Sequence, residues 1–270
     1  MTSTDEADAK YVDRMTNVER MTRIREGGAP YIFSALRQRT KWLTYRTPIL
    51  RDLYFGSKQV VFQIPFVGNL FDYRYDYMFS PGQLAFLCEQ ITNVAEIPGS
   101  ILEVGCATGH TTVFLNRHIG AIDLDVNYYA IDTFDGFTDE DLESERALGR
   151  DYWYAPVFRG NSKARFDRTM KRNGVKRVTS FQADASTFDY AKIAPFCMAL
   201  VDLDLYRPVL LTLRAIYDLM SPGGIIVIDD CEESGLWEGA YQALMEFTKE
   251  MSIEPVIKHG KLGVISKPRS

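Results

Sequence analysis

From residue 81 to the end of the chain, short apolar runs alternate with stretches of helical spacing. Residues 82–94 place apolar side chains on one helical face, and Pro98-Gly99 interrupts the pattern. Five runs of four nearly all-apolar residues follow. This is the pattern of strands that are buried on both faces of a parallel sheet. The runs are residues 101–104, 128–131, 178–181, 198–201 and 225–228.

Helical segments are predicted between these strands. Residues 207–220 have one apolar face, with a proline in the first turn, and Ser-Pro-Gly-Gly at 221–224 is expected to end the helix. Residues 255–265 predict two short strands around a turn. Alternating strands and helices imply right-handed crossovers. We therefore predict an α/β fold: a Rossmann-like, doubly wound, mostly parallel sheet with a C-terminal antiparallel hairpin.

The first 80 residues differ in composition from the rest. Residues 1–28 are charged and polar, and residues 29–80 are rich in aromatic side chains with little clear period. We expect residues 1–80 to form an N-terminal arm and an aromatic-rich extension, and residues 81–270 to form the domain built on the sheet.

Composition and charge exclude several classes of protein. The net charge of −5 and the pI of about 5.4 give no basic surface for nucleic acid. No apolar run approaches the roughly 18 residues of a membrane span, and the polar, acidic N-terminus lacks the features of a signal peptide. The four cysteines form no C-x-x-C pair, so we expect reduced thiols. These features predict a soluble, cytoplasmic protein with no nucleic-acid or membrane partner.

A glycine turn follows the first predicted strand. Gly105 and Gly109 flank Thr108 and would let the backbone approach a ligand at the start of the next helix. A dinucleotide fingerprint needs a third glycine and a turn aimed at a pyrophosphate. Glu103, at the strand end, would repel a diphosphate but can meet an ammonium group. The loop favours S-adenosylmethionine, which has an ammonium and no phosphate; a tight turn without a ligand is the alternative.

Two further acids follow predicted strands. Asp132 ends the second strand and precedes Thr133 and Phe134. An acid at this place accepts both ribose hydroxyls of an adenosine, in dinucleotide enzymes and methyltransferases alike. Asp184 follows the third strand and could accept a hydrogen bond from the adenine amino group. A helix cap or turn role for Asp184 is at least as consistent with the sequence.

Paired acids end the fourth and fifth predicted strands. They are Asp202 with Asp204 and Asp229 with Asp230. Neighbouring parallel strands bring such pairs to one sheet edge, and two residues that are two apart in an extended chain face the same way. Four converging carboxylates repel unless a cation intervenes, and carboxylate oxygens suit Mg²⁺. Capping or solvated acids are the alternative.

These motifs resemble those of the macrocin O-methyltransferase (TylF-like) family of class I S-adenosylmethionine-dependent enzymes. The resemblance extends from about residue 81 to 247 and is most specific at 132–137, 201–206, 221–224 and 228–230. It implies the class I methyltransferase fold and Mg²⁺-dependent methylation of a hydroxyl on a sugar or glycosylated small molecule. It implies metal ligands at Asp202, Asp229 and Asp230, with Asp204 as general base. Cofactor contacts are implied at Glu103, Asp132 and Asp184.

Other functions are compatible with parts of the pattern. A catechol-like acceptor would use the same metal acids. A nicotinamide-dependent oxidoreductase would use Asp132 but leave the acid pairs idle, and a metal-dependent hydrolase would leave the adenosine-binding acids unexplained. A binding module would account only for the aromatic residues. Those aromatics, with the loop 138–154, are predicted to form a lid over the acceptor, although core packing or a homodimer contact explains them equally well.

Overall fold

A computed structural model describes residues 78–150, 152, 155–233 and 237–269, together with positions 49, 53 and 57. The chain divides into two compact units, Met1–Asp72 with Trp153–Gly160 and Tyr73–Tyr152 with Asn161–Ser270. In the first unit the described part is mainly the 3-10 helix Ala155–Gly160. The arm and aromatic extension expected over residues 1–80 fall almost wholly outside the described residues, so that division stays a prediction.

The second unit is built on a seven-stranded sheet in the order β3-β2-β1-β4-β5-β7-β6. Strands β1 to β5 pair in parallel, and β7 and β6 complete the sheet as an antiparallel hairpin. The predicted doubly wound sheet with its C-terminal hairpin is thereby confirmed. The strands are β1 (Ser100–Val104), β2 (Tyr128–Asp132), β3 (Val178–Gln182), β4 (Phe196–Val201), β5 (Met220–Ile228), β6 (Val256–Lys258) and β7 (Leu262–Ser266).

Six α-helices of the described residues flank this sheet. They are α1 (Pro81–Asn93), α2 (His110–Ala121), α3 (Asp139–Ala147), α4 (Lys163–Arg172), α5 (Tyr206–Ile216) and α6 (Glu238–Glu250). Helix α1 begins with a capping box: Ser80 accepts from the backbone N–H of Gln83, whose side chain accepts from that of Ser80. None of the described helices is long and apolar enough to cross a membrane.

Side chains of the central strands alternate between two cores, one on each face of the sheet. In β1, Leu102 and Val104 pack in the core that includes α5 and α6, whereas Ile101 packs in the core with α1 and α2. Side chains of residues 196–201 in β4 and 225–228 in β5 also pack in both cores, which explains why these two segments are continuously apolar. The prediction of burial on both faces is wrong for β3, because β3 forms an edge of the sheet and its side chains are partly exposed.

The helix expected over residues 207–220 is shorter than predicted. Helix α5 ends at Ile216, a 3-10 turn covers Tyr217–Leu219, and Met220 already pairs with Phe196 as the first residue of β5. The Ser-Pro-Gly-Gly segment therefore lies within β5 and does not end the helix. Sheet pairing at Met220 stops the helix earlier than its apolar periodicity indicated.

Candidate active site

The glycine loop lies between β1 and α2, as predicted. Gly105 and Gly109 have φ angles of 86° and 81°, which only glycine adopts without strain, and Thr108 is half-buried in the turn between them. Gly105 donates a hydrogen bond of 2.8 Å to the carbonyl of Ile131. A Cβ atom at Gly105 would overlap the backbone carbonyl of Asp202. The loop therefore passes directly against the first of the paired acids.

Asp132 organises this loop through two backbone hydrogen bonds. Its Oδ2 accepts from the N–H of Ala107 at 2.8 Å, and its Oδ1 accepts from the N–H of Phe134 at 2.6 Å. Burial raises the pKa of Asp132, and these hydrogen bonds oppose the rise. Each carboxylate oxygen has a second lone pair, so the group keeps acceptor capacity for ribose hydroxyls.

The residues after Asp132 and the acid at position 184 have local roles. The hydroxyl of Thr133 donates to the carbonyl of Gly136 at 2.6 Å, and the ring of Phe134 packs 5.3 Å from that of Phe166. Asp184 Oδ1 accepts from the N–H of Ser186 at 2.8 Å, which is the turn role kept open by the sequence. Contacts of Thr133, Phe134 and Asp184 with the cofactor stay predictions.

Glu103 lies in the sheet interior with 1% of its surface exposed. Tyr128, on the neighbouring strand, donates a hydrogen bond of 2.7 Å to Glu103 Oε2. Burial raises the pKa of Glu103 to about 7, because removing the carboxylate from water disfavours its charged form. The hydrogen bond from Tyr128 opposes part of this rise. A cofactor ammonium near Glu103 would favour the charged form.

The two acid pairs emerge at one edge of the sheet, as the sequence predicted. Strands β4 and β5 are neighbours in parallel, with Val201 opposite Ile228. The backbone hydrogen bonds between the strands continue as far as the acids. The N–H of Asp202 donates to the carbonyl of Val104 at 2.8 Å, and the N–H of Asp229 donates to the carbonyl of Val201 at 2.9 Å. The carboxyl ends of β1, β4 and β5 therefore meet at this edge.

The backbone is left-handed at Asp204, so the assumption of an extended chain from Asp202 to Asp204 is wrong, and the direction of the two side chains relative to each other stays a prediction. Asp204 has a left-handed backbone with a φ angle of 61°. The reason is a turn into α5, in which the N–H of Leu205 donates to Leu203 at 2.6 Å and the N–H of Ala240 donates to the carbonyl of Asp204 at 3.1 Å. The turn, and not strand pleating, sets the place of Asp204 beside the other acids.

Burial and mutual repulsion dominate the electrostatics of these acids. Burial raises the pKa of Asp202 and that of Asp204 well above the ordinary range, and the neighbouring acids raise them further. The pKa of Asp229 is raised to about 7 by burial and by the charge of Asp230, while Lys261 lowers it. Such a cluster needs a compensating cation or protons.

Lys261 supplies a cation that the sequence analysis missed. Its Nζ donates to Asp229 Oδ2 at 2.6 Å and to Asp230 Oδ1 at 2.9 Å, and only 4% of its side chain is exposed. The N–H of Cys231 donates to the carbonyl of Lys261 at 2.7 Å, which holds the lysine backbone beside the acids. No local spacing indicated this contact, because it depends on the pairing of β7 with β5.

The donor set suits a hard divalent cation. Asp202, Asp229 and Asp230 offer carboxylate oxygens, and the buried Asp229 Oδ1 has no hydrogen-bond partner among the described residues. Within that part of the chain, however, no three acidic, histidine or cysteine side chains are arranged to share one metal ion. The chemistry of the donors fits the metal, and the ammonium of Lys261 contacts two of them.

Glu145 and Arg150, which no sequence motif indicated, support the turn that follows Asp204. Glu145, in α3, accepts from the N–H of Tyr206 at 2.7 Å and pairs with Nε of Arg150. Arg150 also donates to Gln242 of α6 at 2.7 Å. Helix α3 lies in the loop predicted as a lid, so part of that loop is anchored to the start of α5. Its role in covering an acceptor stays a prediction.

Three aromatic rings cluster at the start of α6. The buried ring of Trp237 lies 5.3 Å from the ring of Phe137 and 4.8 Å from that of Tyr152. Because the N–H of Ala240 bonds the carbonyl of Asp204, these rings lie near the turn that carries the predicted base. The four cysteines, all described, are free, as expected.

The parallel sheet, with its glycine loop after β1, has the Rossmann-like fold of S-adenosylmethionine-dependent methyltransferases. A family profile described as macrocin O-methyltransferase (TylF) matches residues 82–265, and the chain belongs to this family. The resemblance recognised from the sequence motifs is thereby confirmed. No curated protein sequence matches the chain.

Two solved structures illustrate the similarity of fold. The O-methyltransferase NovP shares 17% sequence identity over 81% of this chain and 99% of its own, with a TM-score of 0.64. The calicheamicin methyltransferase CalS11 shares 18% identity over 89% of this chain and 94% of its own, with a TM-score of 0.57. At such low identity these structures show the common fold.

Proposed function

We propose that this methyltransferase requires Mg²⁺ and acts on a hydroxyl of a sugar or glycosylated small molecule. The observation that carries the proposal is the position of the glycine loop against Asp202, which brings the predicted cofactor site beside the acid pairs of β4 and β5. Two names support an acceptor of this class. The family is described as macrocin O-methyltransferase, and one of the similar structures is a calicheamicin methyltransferase.

Methyl transfer requires an in-line geometry and the removal of one proton from the acceptor. Asp202, Asp229 and Asp230 would hold the divalent ion, which lowers the pKa of a coordinated hydroxyl. Asp204 would accept the proton of that hydroxyl. Burial and the neighbouring acids raise the pKa of Asp204, and a divalent ion held beside it would oppose this rise and favour the carboxylate form that accepts the proton.

The cofactor would be held by the first two strand ends. Glu103 would meet the ammonium group of S-adenosylmethionine, directly or through water, and Asp132 would accept the ribose hydroxyls. Asp132 already fixes the N–H of Ala107, so the same side chain would shape the loop and bind the ligand. Charge-assisted hydrogen bonds of this kind are stronger than neutral ones.

The aromatic cluster at the start of α6 supports a sugar acceptor. The rings of Phe137, Tyr152 and Trp237 pack together near the turn that contains Asp204. Aromatic faces pack well against the C–H surfaces of sugars. A catechol-like acceptor is the alternative, because it also presents two neighbouring oxygens to a metal.

Transfer of labelled methyl groups to a panel of free sugars, glycosides and catechols tests this function. We expect transfer to sugar hydroxyls that is abolished by a chelator and restored by Mg²⁺. Transfer that persists in the chelator would overturn the metal requirement, and transfer to catechols alone would overturn the sugar acceptor. Calorimetry with S-adenosylhomocysteine and with NAD, with and without Mg²⁺, should show binding of the first ligand only.

The metal ligands are tested by direct binding. Asp229→Asn should lose Mg²⁺ binding in calorimetry, because it removes the negative charge and one of the two carboxylate oxygens of a proposed ligand whose Oδ1 has no hydrogen-bond partner among the described residues. Asp218 is exposed and lies just before β5, at the opposite end of that strand from Asp229, so Asp218→Asn gives a control of the same chemistry. Equal Mg²⁺ affinity in the two variants would remove Asp229 from the site.

A further inference from the structure

One lysine lies among the four acids at the ends of β4 and β5. The ammonium of Lys261 donates to one oxygen of Asp229 and one oxygen of Asp230, at 2.6 and 2.9 Å. These are two of the three acids that would hold the divalent ion. The cluster therefore contains its own cation, contributed by the hairpin that closes the sheet.

The contacts of Lys261 are built into the fold. Its side chain is 96% buried, and its carbonyl accepts from the N–H of Cys231, the residue that follows Asp230. The ammonium also lies 5.0 Å from the centroid of the Phe79 ring, a distance at which a cation is attracted to the ring face. A buried ammonium with two carboxylate partners is held far more firmly than a surface lysine.

An ammonium and a divalent ion at the same carboxylates oppose each other. Both are positive, and both draw on oxygens of Asp229 and Asp230, so one weakens the binding of the other. In the described residues the acids do not converge as a set of three around one point, while the ammonium bridges two of them. Even where an ion binds the unpartnered Oδ1 of Asp229 and the ammonium keeps Oδ2, the two positive charges repel each other across the shared carboxylates.

We propose that Lys261 is an internal cation that competes with the divalent ion for Asp229 and Asp230, and so determines how tightly this chain binds the ion. The inference rests on the proposed metal requirement. Lys261 stabilises the acid cluster when the ion is absent and weakens ion affinity, so occupancy of the site depends on the concentration of the ion. Lys261 changes the affinity of the metal-binding acids for the ion and does not contact the methyl acceptor.

Removal of the competing charge tests the proposal. Lys261→Met keeps an unbranched apolar side chain as far as Cε and removes the ammonium, and Lys258→Met removes the same charge from an exposed position of the same hairpin. We expect Lys261→Met to bind Mg²⁺ and Mn²⁺ about tenfold more tightly or better in calorimetry, and Lys258→Met to match the parent chain. Unchanged or weaker binding by Lys261→Met would overturn the competition.

Thermal melting supplies a second readout on the same proteins. Without divalent ions, Lys261→Met should melt at a lower temperature than the parent, because Asp229 and Asp230 lose their buried counter-charge. Saturating Mg²⁺ should raise its melting temperature more than that of the parent. A smaller gain than in the parent would contradict the proposal.

Competition between Lys261 and the ion can also be tested in the parent protein, in which the ammonium of Lys261 is intact. With ¹⁵N-labelled lysine, the buried ammonium of Lys261 should give a protected NMR signal, assigned by its loss in Lys261→Arg. Titration with Mg²⁺ should shift or abolish this signal, whereas persistence of the same signal at saturating Mg²⁺ would overturn the proposal.

If neither the parent nor Lys261→Met binds divalent ions, the proposed metal requirement fails. If both bind equally well, only the competition fails.

Discussion

Tyr128 and Glu103, on neighbouring parallel strands, are joined by a hydrogen bond of 2.7 Å in the sheet interior. Both side chains are almost completely buried, on the face of the sheet that packs against α1 and α2. A buried carboxyl is tolerated there because the phenol is its partner. The same carboxyl is expected to meet the ammonium of the cofactor, so one residue links core stability and ligand binding.

This pair makes stability depend on pH. The pKa of Glu103 is about 7 in the folded chain and near 4.5 in the unfolded chain, so the folded state holds a proton that the unfolded state releases between these values. The free energy of unfolding should therefore fall by about 3 kcal/mol as the pH rises from about 4.5 to 7.

The control for this pH dependence of the free energy of unfolding is Glu103→Gln, which keeps a hydrogen-bond acceptor for Tyr128 but does not titrate. Urea unfolding of both proteins at several pH values gives the contribution of Glu103 as their difference, which removes the titration of other acids. A difference that stays constant from pH 4.5 to 7 would contradict the raised pKa.

Asp132→Asn should loosen the cofactor loop. An amide has one acceptor oxygen, so either the N–H of Ala107 or that of Phe134 loses its partner, at a cost of about 1–3 kcal/mol in unfolding free energy. Binding of S-adenosylhomocysteine should weaken as well. Asp135→Asn, at an exposed position three residues along the chain, should stay within about 0.5 kcal/mol of the parent. Chemical denaturation and calorimetry measure both effects, and equal behaviour of the two variants would refute the role of Asp132.

Gly105→Ala should be severely destabilising. The φ angle of 86° disfavours any other residue, and the added Cβ would overlap the carbonyl of Asp202. We expect a loss of more than about 4 kcal/mol in unfolding free energy, or failure to fold. Gly120→Ala, in α2 with open space around the glycine, should be neutral or stabilising by up to about 1 kcal/mol. Similar losses at both positions would show that the close approach at Gly105 is not what limits substitution.

Asp204→Asn should separate binding from chemistry. The proposed base is lost, while the predicted metal and cofactor ligands are unchanged, so methyl transfer should fall by about a hundredfold to ten-thousandfold. Affinities for S-adenosylhomocysteine and Mg²⁺, measured by calorimetry, should change little by comparison. Asp218→Asn serves as the exposed control for the rate. Near-normal methyl transfer by Asp204→Asn would remove Asp204 from the role of base.

Local patterns in the sequence were sufficient for most of the sheet. Runs such as residues 101–104, apart from Glu103, and residues 198–201 are apolar because their side chains alternate between two cores, and apolar runs of this length without a clear period are typical of parallel strands. The acids could be assigned to strand ends because they directly follow those runs. Consecutive strands joined by a helix are usually neighbours, so the meeting of Asp202 with Asp229 was predictable as well.

Contacts between distant segments were decided only by the tertiary structure. Lys261 reaches Asp229 because β7 pairs antiparallel with β5, and nothing in the spacing of residues 255–265 specifies that pairing. The left-handed turn at Asp204 and its support by Glu145 likewise depend on how α3, α5 and α6 pack. Apolar periodicity specifies which faces are buried, whereas the partner of a buried polar group is specified by the packing of segments far apart in the chain. The sequence by itself determined that acids gather at the sheet edge, and only the tertiary structure decided that a lysine shares that edge with them.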